Sequence, residues 1–295
     1  MREHVRMAAV AVDTKPGDTI GNLDRIRQWA ARSRDAGADL VLYPELSLTG
    51  FIPNHPTGDH DAWLRKALAG ARSLAEPVSG SAVDGLIEIA QQNNLLLSAG
   101  MLEDAGNMLH NTQVIVGPDG LLGHWRKMHV PMFEMPFYNG GGQPSVIDTP
   151  LGRLGVNICF DALIPESTRL LAVQSAEIVL FPFAADPPPV TPQGWQEWAA
   201  PALRNRCQEN GVFGLACNYV GRVDFAGVEQ AFPGGGLAVG PRGEVLAEWP
   251  VTTGQPGMLI VDFDPEMLQS ARAEPEYLYR FRRPELYGPL AKTFP

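Results

Sequence analysis

The sequence predicts an α/β protein, and three observations carry that prediction. Short apolar runs alternate with stretches of helical period along most of the chain. Three of these runs stop abruptly at an ionisable residue, Glu45, Lys127 or Cys159, and strand ends are where α/β sheets assemble their chemistry. A Pro-Gly turn flanked by apolar residues occurs twice, as Val116-Gly117-Pro118-Asp119-Gly120 and as Val239-Gly240-Pro241-Arg242-Gly243. Both turns read as β-hairpins. Their recurrence about a hundred residues apart points to two similar halves and to two sheets packed face to face.

In chain order, Val5 to Val12 reads as a strand, and Pro16-Gly17-Asp18 as a turn. Leu23, Ile26 and Ala30 then fall on one face of a helix that Gly37 can stop. Asp39 to Tyr43 is a buried strand, Val83 to Gln92 a helix, and Leu95 to Met101 and Thr112 to Val116 are extended. Leu121 to Trp125 leads into Arg126-Lys127-Met128-His129, and Gly155 to Cys159 is followed by Pro165 and Glu166 at a helix start. Glu177 to Phe181 and Val212 to Asn218 read as strands around a helix from Gln193 to Gln208, and Met258 to Phe263 as the last strand. From Pro265 the composition turns to Arg, Tyr and Phe. We therefore expect a domain over 1–264 and a tail over 265–295 that docks on the domain or on another subunit.

With 295 residues, 45% of them hydrophobic, the chain can bury a full core. A net charge of −10 argues against a nucleic-acid partner, which needs clustered Lys and Arg. No segment approaches membrane-spanning length, and the N-terminus lacks the apolar core of a signal peptide. Three cysteines without regular spacing make no disulfide framework, so a cytoplasmic location is expected. Gly140-Gly141-Gly142 and Gly234-Gly235-Gly236 lack the lysine and helix of a phosphate loop. His55, Asp59, His60 and Asp61 lack zinc-site spacing and read as a loop beside the active site, so no metal is expected.

The residue types at the three strand ends suit attack on an amide carbon, a poor electrophile that needs a soft nucleophile, a proton carrier and a positive group for the developing oxyanion. Cys159, placed between a strand end and a helix start, is expected as a thiolate. Cys207 and Cys217 read as packing. A thiol paired with His129 or His110 is the rival arrangement.

Taken together, Tyr43-Pro44-Glu45-Leu46-Ser47-Leu48-Thr49-Gly50, Trp125-Arg126-Lys127-Met128-His129-Val130-Pro131 and Gly155-Val156-Asn157-Ile158-Cys159-Phe160-Asp161 resemble the Glu-Lys-Cys triad motifs of the nitrilase (carbon–nitrogen hydrolase) superfamily, a likeness spanning roughly residues 5 to 263. The resemblance implies a four-layer α-β-β-α sandwich, assembled as a homodimer or larger homo-oligomer, that hydrolyses non-peptide C–N bonds with no metal or organic cofactor. It implies that Cys159 forms a thioester, that Glu45 is the general base, and that Lys127 and the backbone N–H of Phe160 hold the oxyanion. Glu134 falls where family members often carry a second glutamate. The pair Phe160-Asp161 resembles the amidase and carbamoylase branches, whereas Ala162-Leu163-Ile164 lacks the arginines that grip a carbamoyl amino acid. A small amide with a neutral or apolar acyl group, met by Tyr138, Phe133, Phe137 and Trp195, is the expected substrate. The alternatives are an N-carbamoyl amino acid amidohydrolase, a nitrilase, an acyl transferase, or a non-catalytic relative that binds small amides.

Overall fold

The computed structural model describes residues 1, 4–54, 59–186, 195–249 and 254–292, without the side chains of His60, Trp195, Gln196 and Trp198. The first half runs β1 (Val5–Ala11), α1 (Thr19–Asp35), β2 (Leu40–Leu42), α2 (His60–Leu74), α3 (Ser81–Asn93), β3 (Leu96–Asp104), β4 (Leu109–Gly117) and β5 (Gly120–Arg126). The second half runs β6 (Ile147–Thr149), β7 (Gly152–Val156), α4 (Pro165–Val173), β8 (Ile178–Phe183), α5 (Trp195–Asn210), β9 (Phe213–Asn218), β10 (Val220–Phe225), β11 (Val228–Pro233), β12 (Gly236–Val239), β13 (Val245–Trp249), β14 (Gly257–Phe263) and α6 (Pro265–Ala273).

Two six-stranded sheets form, ordered β14-β1-β2-β3-β4-β5 and β13-β12-β9-β8-β7-β6. Side-chain alternation stacks them. Val5, Met7, Ala9, Leu40 and Leu42 meet Leu154, Val156, Ile178, Leu180, Phe213 and Leu215 in the layer between the sheets. The alternate residues Ala8, Val10, Val41 and Leu97 face α1 and α3 through Ile26, Ala30, Leu86 and Ile89. On the second sheet Val179, Phe181, Ala216 and Leu237 face α4 and α5 through Leu171, Leu203 and Cys207. The result is the expected α-β-β-α sandwich, whose inner strands, such as β2, β8 and β9, are buried on both faces and so read as continuous apolar runs.

The two halves repeat one pattern. Three parallel strands, β1-β2-β3 and β7-β8-β9, each continue into an antiparallel hairpin, β4-β5 and β12-β13. Each hairpin closes on one of the two Gly-Pro turns, and each carries a register shift at the same place, between Ile115 and Val116 and between Ala238 and Val239.

Three elements differ from the sequence reading. Asp59, taken with its histidine neighbours as loop, caps α2 by accepting from Ala62 N–H at 3.1 Å, and Trp63, Ala67 and Ala71 of that helix are buried. His55 lies outside the described residues. The hairpin β10-β11, not foreseen, brings Val223, Val228 and Phe232 to the same cluster. The tail begins as α6, which buries Leu268 and Ala271, and continues as short 3-10 turns that expose Leu278, Phe281, Leu286 and Leu290.

Candidate active site

Glu45, Lys127 and Cys159 lie just beyond the C-terminal ends of β2, β5 and β7, two strands of the first sheet and one of the second. Glu45 sits in a turn pressed against β3. Leu46 has φ +54°, and Leu48 N–H donates to Gly100 O at 2.7 Å. Only glycine allows this approach, because a Cβ on Gly100 would lie 2.2 Å from Leu46 N and 2.8 Å from the Glu45 carbonyl carbon. Lys127 is held at both ends of its peptide, its N–H donating to Asn111 O at 2.8 Å and its C=O accepting from Gly141 N–H at 2.7 Å. Beyond β7, Asn157 accepts from the Thr168 hydroxyl at 2.8 Å, and the backbone turns sharply so that Cys159 opens a 3-10 turn (Cys159–Leu163) with φ +49°. Such a conformation in a non-glycine residue costs about 1–3 kcal/mol and persists only where neighbours enforce it.

The ammonium of Lys127 is wholly buried and donates to Glu45 Oε1 and to Glu134 Oε2, both at 2.7 Å. An ammonium carries three donors, so one N–H remains for a substrate oxygen. Asn111 reaches across from β4 to donate to the same Glu45 Oε1 at 2.5 Å. Glu45 Oε2, equally buried, has no hydrogen-bond partner among the described residues. One oxygen of this carboxylate is thus anchored and the other is free to take a proton. Burial opposes the charge of Lys127, yet Glu134, Glu45 and Cys159 outweigh it and push the ammonium well above its usual range. It stays a cation. Glu134 is pushed up to about 7, by burial first, with Lys127 pulling the other way and the Glu45 and Asp186 carboxylates adding to the rise.

The surroundings of Cys159 run against the expected thiolate. Burial, then Glu45, pushes the Cys159 thiol well up, Glu134 adds to this, and the opposing pull of Lys127 and of the Ala184 N–H does not overcome it. A 3-10 turn follows Cys159 directly, and α4 starts only at Pro165. Cys159 rests as a thiol beside a base. Phe160 is the second residue of that turn, where a helix leaves N–H groups outside its own pairing, and its amide directly follows Cys159 in the chain.

Tyr138 is buried and feels the charges of Glu134, Glu45 and Lys127, which places it at the site wall. Phe137 packs beside it, with ring centroids 5.9 Å apart, whereas Phe133 is half exposed. The Trp195 side chain lies outside the described residues. The rival bases are engaged elsewhere: His129 Nδ1 lies 2.9 Å from Asp161 Oδ1, and His110 Nδ1 2.9 Å from Asn139 O. Cys207 and Cys217 are buried in the core. Sequence reasoning missed Asn111, Asp161 and Asp186. The polar run Asn111-Thr112-Gln113 inside an otherwise apolar strand was an available signal for the first.

The carbon–nitrogen hydrolase family profile matches residues 6–273. The chain belongs to the carbon–nitrogen hydrolase family. Among curated carbon–nitrogen hydrolase relatives, it is 28% identical to an (R)-stereoselective amidase of Pseudomonas sp. over 93% of this chain and 90% of that one. It is 29% identical to a nitrilase of Pyrococcus abyssi, covering 88% of this chain and 90% of that one. Among solved structures, a variant of the amidase from Nesterenkonia sp. AN1 superposes with a TM-score of 0.75 at 25% identity, covering 97% of each chain. That carbon–nitrogen hydrolase carries the acetamide moiety of fluoroacetamide covalently added at its active-site cysteine. No helix among the described residues is long and apolar enough to cross a membrane.

Proposed function

We propose that this carbon–nitrogen hydrolase is an amidase that cleaves small neutral amides to ammonia and a carboxylic acid through a thioester on Cys159. The observation that carries the reading is the divided role of the Glu45 carboxylate, whose Oε1 is pinned by Lys127 and Asn111 while Oε2 is buried and unpartnered beside the thiol's environment. In the first half-reaction the Cys159 sulfur bonds to the amide carbon as its proton passes to Glu45. The third N–H of Lys127 and the Phe160 amide stabilise the oxyanion. The C–N bond then breaks, and Glu45 returns the proton to the departing nitrogen, which leaves as ammonia. In the second half-reaction Glu45 takes a proton from water, the hydroxyl bonds to the thioester carbon, the C–S bond breaks, and the sulfur regains its proton. Glu134 holds Lys127 in register and does not touch the reacting atoms.

Charge supports a neutral substrate. Glu45, Glu134 and Asp186 interact around the single ammonium of Lys127, and that ammonium is already paired to two of them. A carboxylate-bearing amide would meet excess negative charge in a site of low dielectric. Tyr138 and Phe137 supply an apolar wall. Free cysteines fit a reducing compartment, and we place the enzyme in the cytoplasm. The apolar side chains exposed along 278–290 support a homo-oligomer.

The test is ammonia release from a panel of small neutral amides, N-carbamoyl amino acids, ω-amides and nitriles, with Cys159→Ala as control. Neutral amides should lead, and release should vanish in the variant. Preference for carbamoyl amino acids or nitriles would overturn the substrate class, and an inert wild type that still binds amides would make the protein a non-catalytic relative. Added acceptor amines that divert the acid product would make it an acyl transferase.

A further inference from the structure

One carboxylate joins the two catalytic segments. Asp161 is buried, and its Oδ2 accepts from the backbone N–H of Met128 at 3.1 Å and of Ile158 at 3.3 Å. These are the residues directly after Lys127 and directly before Cys159. A single oxygen atom therefore bridges the segment leaving β5 of the first sheet and the segment leaving β7 of the second. The other oxygen, Oδ1, accepts from His129 N–H at 2.8 Å and lies 2.9 Å from His129 Nδ1, and Ser167 Oγ lies 3.3 Å from that same nitrogen. Asp161 N–H donates back to Ile158 O at 3.0 Å, so the turn carrying Cys159 is closed on both sides of the nucleophile. Sheet pairing does none of this, because β5 and β7 belong to different sheets.

We propose that Asp161 is a positioning residue that fixes Lys127 relative to Cys159 and holds the positive-φ turn of the nucleophile, without touching the substrate. This rests on the reading of Lys127 and Cys159 as oxyanion donor and nucleophile. The assignment explains why a carboxylate is needed. Three backbone N–H donors and the His129 Nδ1 converge on two oxygens, and a carboxylate accepts at both, whereas an amide offers one acceptor and, placed with its oxygen toward His129, turns its NH₂ toward the two N–H groups at the bridge. Asp161→Asn therefore keeps shape and volume but loses either the Oδ2 bridge or the His129 contacts. A small displacement of one catalytic group can cost on the order of 10²-fold in rate.

The experiment compares wild type, Asp161→Asn and Asp161→Glu by steady-state kinetics on the leading amide, by the rate of Cys159 alkylation with iodoacetamide, and by thermal melting. Cys207 and Cys217 are buried, and Cys159→Ala gives the labelling background. The expected result is a folded Asp161→Asn whose kcat falls roughly 10²-fold with KM little changed, whose alkylation also slows but by a smaller factor because it reads only the Cys159 turn, and partial recovery of both in Asp161→Glu. A folded Asp161→Asn with wild-type kcat and alkylation overturns the assignment, as does a loss confined to KM. If Asp161→Asn does not fold, Asp161→Glu decides, since its longer side chain moves both segments and undiminished kcat and alkylation would again overturn the role. Should wild type cleave no amide, the proposed reaction fails while the alkylation rates still read the positioning.

Discussion

Replacing Lys127 by methionine removes the positive charge that lies 2.7 Å from both Glu45 and Glu134 while keeping most of the side-chain volume. Two effects should combine in the rate. Loss of one oxyanion donor costs roughly 10²–10³. Loss of the ammonium also removes one of the two donors that pin Glu45 Oε1, which misplaces the proposed general base, a role worth roughly 10²–10⁴. Groups that act as a unit are not additive, so the expected fall in kcat is on the order of 10³-fold or more. Stability should fall too, because removing one partner of a buried ion pair costs about 3–5 kcal/mol. The sign with pH follows from the carboxylates left behind. Without the ammonium Glu134, which already stands at about 7, takes a proton more readily, so the penalty is full at alkaline pH and shrinks as Glu134 protonates toward acid. Ammonia release and melting curves at pH 5 and pH 8 measure both effects. A variant with kcat within tenfold of wild type would refute the oxyanion assignment, and a pH-independent loss of melting temperature would refute the account of the buried charges.

Glu134→Gln tests the same cluster from the other side. A carboxyl raised to about 7 keeps its proton in the folded protein where the unfolded chain has already released it, so its contribution to stability declines as pH rises toward 7. If the ionised form orients Lys127, kcat climbs through that same pH range, and the Gln variant loses the climb; a pH profile that keeps it would move the titration to another group. Gly100→Ala drives a Cβ to 2.2 Å from Leu46 N, against backbone that cannot rotate away. We expect destabilisation of about 1–3 kcal/mol together with a loss of kcat, because Glu45 shares that turn; unchanged melting and turnover would show that the turn yields without moving the base.

The sandwich was legible because its strands lie between two layers and read as unbroken apolar runs, as in Val5 to Val12 and Asp39 to Tyr43. Elements at the rim were harder. In α2, buried Trp63, Ala67 and Ala71 recur every fourth residue, but Arg65, Lys66 and Arg72 and the preceding polar stretch masked the face. In α6 only Leu268 and Ala271 are buried, too few to separate the helix from a charged tail. The three candidate site residues, Glu45, Lys127 and Cys159, stood out in the sequence because each follows the end of a strand and three such stops coincide. Asn111, Asp161 and Asp186 were not, since one polar residue in a turn or strand says nothing until a distant segment supplies its partner: Glu45 lies 66 positions from Asn111, and Met128 precedes Asp161 by 33.

The proton on Cys159 ties these points together. A helix-activated thiolate would be reactive toward any electrophile that reached it. Here burial and the Glu45 and Glu134 carboxylates favour the proton on sulfur, and the proposed acceptor for it, Glu45 Oε2, has no hydrogen-bond partner among the described residues. Proton transfer to that oxygen becomes favourable as negative charge moves from sulfur to the substrate oxygen, where Lys127 and the Phe160 amide can meet it. Nucleophile activation is then linked to oxyanion formation, so the geometry between Lys127 and Cys159 sets the rate more than the free thiol's acidity does. That is why a bridge such as Asp161, which contacts neither the proton nor the substrate, belongs to the catalytic design. It also gives the mechanism a kinetic signature: alkylation of Cys159 by a reagent that develops no oxyanion should depend on Lys127 far less steeply than amide hydrolysis does. Equal losses in the two reactions on Lys127→Met would mean that the lysine acts on the thiol itself, and the coupled scheme would give way to a simple ion pair.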